Sequence, residues 1–175
     1  MRKAALLVIF LFGCGVRPYA RFTPLVDAAR AGDVASIRAL LAHGTDPNQP
    51  AGNNGWTPLL HAVHKHQIAS VGALLDGGAD INRMSPDRTT PLMMAAGYGY
   101  TDIVELLLER GADPRIADGG GFHAIDLAAA GIPDIDRFTL FRCQDDTVRV
   151  LRNAAPAIHI NSKVAAWAHV KRCSV

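Results

Sequence analysis

Three histidines, His61, His64 and His66, crowd into six residues. The first two stand three apart, a spacing that puts both side chains on one helical face and could serve a metal pair. No cysteine or carboxylate follows at a spacing that would supply third and fourth ligands. The expected role is therefore solvent exposure or a loop hydrogen bond, with no metal. Serine, histidine and aspartate are all present, but no nucleophile stands in a strand–turn–helix elbow. Gly119-Gly120-Gly121 follows a turn and precedes a helix start, which suits a flexible hairpin better than a phosphate cradle. Asp46, Asp80 and Asp113 recur at one place in a repeating pattern and read as turn formers rather than acid/base groups. The residues thus predict a chain that is not an enzyme and holds no cofactor.

The elements around these residues follow from composition and period. The 175 residues suit one domain, and 49% hydrophobic with 19% charged residues is a globular balance. The net charge of +2 disappears once Arg2 and Lys3 are set aside, so the remainder has no electrostatic footprint for nucleic acid. Thr23-Pro24-Leu25, Thr57-Pro58-Leu59 and Thr90-Pro91-Leu92 recur at separations of 34 and 33. Nineteen residues after each leucine stands a glycine, Gly44, Gly78 or Gly111, followed by Thr45-Asp46-Pro47-Asn48, Ala79-Asp80-Ile81-Asn82 or Ala112-Asp113-Pro114-Arg115, whose Asp and Asn are turn formers. Two motifs in register three times define a repeat.

Each unit reads as helix, turn, helix, then an extended loop. Threonine caps the first helix and proline fits its first position. Ala28-Ala29, Ala62-Val63 and Ala95-Ala96 let a neighbouring helix approach closely. The second helix carries Val34, Ile37, Leu40 and Leu41 in the first unit and Ile68, Val71, Leu74 and Leu75 in the second. That is an apolar stripe at helical period. In the third, Val104, Leu107 and Leu108 repeat it after Thr101. The closing glycines sit where a left-handed residue ends a helix.

These motifs resemble ankyrin repeats. The resemblance covers residues 21 to about 153 and implies an all-α solenoid of about four helix-turn-helix units joined by hairpins. The units fall at 21–53, 54–86, 87–119 and a degenerate 120–154, with a tail at 155–175. The family's histidine after Thr-Pro-Leu is replaced by Val26, Leu60 and Met93, which implies that its hydrogen bond to the neighbouring loop is missing. In the fourth unit, His123-Ala124-Ile125 has lost both the cap and the proline, and 131–144 is too long for a repeat. Asp145 to Ala154 reads as its second helix, with Val148 and Leu151 inward, as expected of an end cap. A further short helix is expected from Val164 to Val170, with Trp167 against the cap.

Ahead of the repeats, Arg2 and Lys3 precede an apolar run from Ala4 to Phe12, the layout of a secretory signal and too short to span a bilayer. Leu11-Phe12-Gly13-Cys14 resembles the lipobox of bacterial lipoproteins, which implies a signal at 1–13, lipid on Cys14 and a linker at 14–20. Cleavage after Ala20 with plain secretion, or an uncleaved anchor or cytosolic chain, are the other readings. The expected place is a bacterial envelope, facing the periplasm, with the lipid as the sole membrane contact. If Cys14 is acylated, Cys143 and Cys173 remain as an even pair in an oxidising compartment. A bond between them would stabilise by roughly 3–4 kcal/mol in the chain-entropy model. Two unpaired thiols are the alternative.

The resemblance also implies a concave partner-binding face of hairpin tips and first helices. Asn53, Asn54, Trp56, Asp87, Arg88, Tyr98 and Tyr100 map there, and Trp, Tyr and Arg are the types that dominate interface energy. The alternative for Trp56 and Tyr98 is packing between repeats. A monomeric, non-catalytic module that binds a protein partner is expected. An inhibitor or immunity-like binder of a periplasmic enzyme, or a metal- or ligand-binding envelope protein, are the alternatives.

Overall fold

A computed structural model describes residues 22–131 and 144–170 of the chain. Cys14, Cys143 and Cys173 lie outside the described residues, as do the signal-like segment and most of the 131–144 stretch. Among the described residues there are nine helices and no strand beyond isolated bridges. They are α1 (Pro24–Ala31), α2 (Val34–Ala42), α3 (Pro58–His64), α4 (Ile68–Asp76), α5 (Pro91–Tyr98), α6 (Thr101–Glu109), α7 (Ala124–Ala130), α8 (Asp145–Ala154) and α9 (Ser162–Val170).

Local chemistry sets the helix starts. The hydroxyls of Thr23, Thr57 and Thr90 accept from the N–H groups of Val26, Leu60 and Met93 at 3.3, 3.3 and 3.2 Å. Each such cap contributes about 1 kcal/mol. In α7 the lost threonine is compensated differently: Asp126 reaches back and accepts from the His123 N–H at 2.8 Å. The side-chain cap is lost as expected, and the Asp126 bond to the His123 N–H steadies the helix start in its place.

The helices form two rows, with α1, α3, α5, α7 and α9 packed in sequence as an inner row and α2, α4, α6 and α8 as an outer one. Helix α9 continues the inner row past the last pair. Buried alanines (Ala28, Ala29, Ala62, Ala95, Ala96, Ala128 and Ala129) let inner helices approach, while Ile37, Val71, Leu74, Val104, Leu107, Val148 and Leu151 seal the outer row against them. The core is therefore one continuous stack in which each unit touches only its neighbours. The stripe expectation needs one correction: Ile68 is 42% exposed. It opens the first turn of α4, on a row that has no further layer outside it.

A ladder of turns joins the units. Asp46, Asp80 and Asp113 each accept from the N–H two residues on, at 2.8, 3.0 and 2.9 Å, as turn formers should. The side-chain oxygen of Asn48 then accepts from the Asp80 N–H at 2.7 Å, and that of Asn82 from the Asp113 N–H at 3.0 Å. Arg115 stands at the next place, and it returns to Asp113, whose carboxyl its side-chain hydrogen bond holds below the usual range.

Candidate functional site

The hairpins that precede α3, α5 and α7 all project beside the inner row. Ala51 pairs with Trp56 and Ala117 with His123 as antiparallel bridges. Ser85 donates to and accepts from Thr89 in the middle one. Their tips are held from within. Asn54 accepts from the Trp56 N–H at 3.3 Å, and the Asp87 carboxylate accepts from the hydroxyls of Ser85 and Thr89. Asp118 accepts from the N–H groups of Gly120 and Phe122, so the glycine tip is pinned rather than loose. Of the sequence-predicted surface, Asn53, Asn54, Asp87 and Arg88 are exposed, and Trp56 and Tyr98 are half-buried. Tyr100 is corrected out of it: at 7% exposure it belongs to the core. It is the residue just before α6, at the turn that follows α5.

A strip of rings crosses three units. Phe22 meets His61 edge-on at 5.0 Å, and Trp56 lies over both His61 and His64 at 5.5 and 5.2 Å. His64 meets Tyr98 at 5.7 Å, and Tyr98 stacks on Tyr100 at 5.4 Å. Tyr100 stacks on His66 at 4.1 Å, and His66 pairs with Asp102 at 2.9 Å. Both placements weighed for Trp56 and Tyr98 are thus partly realised, because each packs between units while keeping an edge outward. Such offset and edge-on arrangements are the favoured geometries of aromatic pairs.

The three histidines are all members of this strip. His61 is buried, its Nδ1 3.2 Å from Nη1 of Arg30 and its Nε2 3.3 Å from the Ala51 carbonyl. A guanidinium can only donate, so Nδ1 carries the lone pair and Nε2–H donates to Ala51. Both nitrogens are engaged, and His61 with His64 is no preformed metal pair. Burial is the main reason that the His61 pKa is pushed down to about 4, with Arg30 and His64 adding to it and the Ala51 bond and Asp27 acting against it. The expected loss of the loop hydrogen bond holds at the three replaced positions and is made good in the second unit. Val26, Leu60 and Met93 do fill the core, but His61, one place later, reaches the hairpin carbonyl.

Two positions carry backbone strain. His66 has φ 56° and Arg88 φ 64°, both left-handed. Their repeat equivalents are glycines, Gly32 and Gly99 for His66, Gly55 and Gly121 for Arg88, at φ between 63° and 81°. A side chain there costs about 1–2 kcal/mol over glycine. Sequence reasoning did not mark Arg30 or Phe22, and it took Asn48 and Asn82 as turn formers without their bonds to the next unit. The 34-residue spacing of Arg30 with His64, and of Asn48 with Asn82, was the available signal.

A family model described as ankyrin repeats, three copies, matches residues 2–85, 25–118 and 73–162. The chain is also similar to palmitoyltransferase AKR1 of Lachancea kluyveri, with 54% identity over 39 residues. Those residues are 22% of this chain and 5% of that protein, so the chain spans only a small part of the relative's length. No helix among the described residues is long and apolar enough to cross a membrane. Paired rows of short helices, threonine-capped starts, projecting hairpins and a family match over most of the sequence together place this chain in the ankyrin repeat family.

Proposed function

We propose that this chain is a non-catalytic module that binds a protein partner through its hairpin tips and inner helices, and that it is exported and lipid-anchored in a bacterial envelope. Ankyrin repeats are protein-interaction domains, and the observation that carries the reading is the ring strip from Phe22 to Tyr98 beside the tips. Half-buried Trp56 and Tyr98, held by neighbours on two sides, are the rigid aromatic anchors that interfaces favour. Retained strain at Arg88 supports the same face, since a residue that costs stability at an exposed tip has a use there.

The test is capture of partners by the full chain beside two variants. Trp56→Ala with Tyr98→Ala should lose the captured protein, and Arg38→Ala, on the opposite outer row, should keep it. Equal capture by all three would overturn the reading. The export part rests on the lipobox-like Leu11-Phe12-Gly13-Cys14. Intact mass from a bacterial host should give a diacylated chain starting at Cys14, and Cys14→Ser should abolish that species. A full-length, unmodified chain would remove the anchor. Loss of two hydrogen atoms relative to the reduced mass would be the signature of a Cys143–Cys173 bond.

A further inference from the structure

We propose that Arg30 is the carboxylate anchor of this face, gripping an aspartate or glutamate side chain of the bound protein. The inference rests on the interaction reading above and adds the chemistry that it recognises.

Arg30 is half-buried and held from two directions. Its guanidinium lies 4.4 Å over the Phe22 ring, and Nη1 donates to His61 Nδ1 at 3.2 Å. Neither neighbour neutralises it. Arg110, Arg115 and Arg149 each pair with an aspartate, but no carboxylate among the described residues lies within 4 Å of Arg30. The remaining N–H donors form a fork that suits a carboxylate bidentately. A guanidinium whose orientation is already fixed loses little freedom on binding.

The surroundings favour a side chain over a chain terminus. Terminal carboxylates are captured in nests of backbone N–H groups. In the adjoining hairpin, the N–H groups of Ala51, Gly55 and Trp56 are already committed to Trp56, Gly52 and Asn54. Beyond Arg30 the rings of Trp56, His64 and Tyr98 continue, so a partner segment that places its carboxylate on Arg30 runs on across an aromatic surface.

His61 acts as the positioning residue and as a reporter. The charged or titratable groups that face it are Arg30 and Asp27 on α1 and His64 on α3. The hairpin offers only the Ala51 carbonyl and Trp56, α5 carries no charged residue, and Asp76 at the end of α4 is paired with Arg110. A carboxylate arriving at Arg30 adds negative charge beside His61 and favours its protonated form.

The experiment titrates the isotope-labelled full chain with hexaglutamate, using hexaglutamine as the neutral control, and follows Arg30, Phe22 and His61 by NMR. Saturable shifts with hexaglutamate alone are expected at pH 7, where its carboxylates are ionised. Arg30→Gln should weaken binding about tenfold or more, and Arg30→Lys, which keeps the charge but loses the fork, by several-fold. Arg38→Gln should stay within about twofold, since that side chain is exposed on the outer row, away from the hairpins. Binding that persists in Arg30→Gln, shifts centred on Lys65 or Arg88, or no shift at all would overturn the proposal. If Arg30→Gln keeps the captured partner while the Trp56 and Tyr98 variant loses it, only the anchor fails. If both keep it, the interaction reading itself falls.

Discussion

His61 keeps its bond from Arg30 only while its ring is neutral, and that makes stability depend on pH. Its ordinary value is 6.5 and its folded value about 4, so between these limits the unfolded chain binds more protons than the folded one. The stabilisation is fully present above pH 6.5 and is lost as pH falls toward 4, with a slope of at most about 1.4 kcal/mol per unit. Urea melts from pH 7 to 4.5 should show this slope, and His61→Gln should flatten it. Equal slopes would mean that other groups titrate instead. Strain gives a prediction of opposite sign. Arg88→Gly should raise stability by about 1 kcal/mol in the same melts, because it places glycine where the other two tips have it. At this scale the sequence was partly legible. Asp46, Asp80 and Asp113 read correctly because an Asx turn is made within three residues. The Arg30–His61 contact did not, because it depends on two side chains meeting across 31 positions.

Helices and their junctions were the most legible level. Thr-Pro marks the inner helices α1, α3 and α5 locally, and the span Asp145–Ala154 of α8 is the one that its apolar spacing predicted. What holds neighbouring elements together was harder to see. Asn82 accepts across units from the Asp113 N–H, and Asn82→Ala should cost about 1 kcal/mol by leaving that donor without its partner. Buried Asp126 has the larger part. It accepts from the His123 N–H at the start of α7 and, at 2.6 Å, from the Asn161 N–H at the entry to α9. Asp126→Ala should cost about 2–3 kcal/mol and speed amide exchange in α9 ahead of α3 and α5. Uniform exchange across all inner helices would contradict this. Nothing in the spacing announced Asp126, since the unit that contains it has lost the repeat's own signals.

For the molecule as a whole, stacking of like units leaves two long faces with different chemistry. One carries the hairpins, the ring strip, Arg30 and Arg88, and the other is the outer row with exposed Arg38 and Glu105. The period of 33 made the stack readable, because a repeat states its own geometry several times over. The identity of the partner is not written there, since one scaffold serves many surfaces. The most direct test places a photocrosslinking amino acid at Asn53 or Arg88 on the hairpins, and at Arg38 or Glu105 on the outer row, in the expressing cell. A binding face at the hairpins predicts one common adduct from Asn53 and Arg88 and none from Arg38 or Glu105. The same adduct from all four positions, or adducts from the outer row alone, would contradict it.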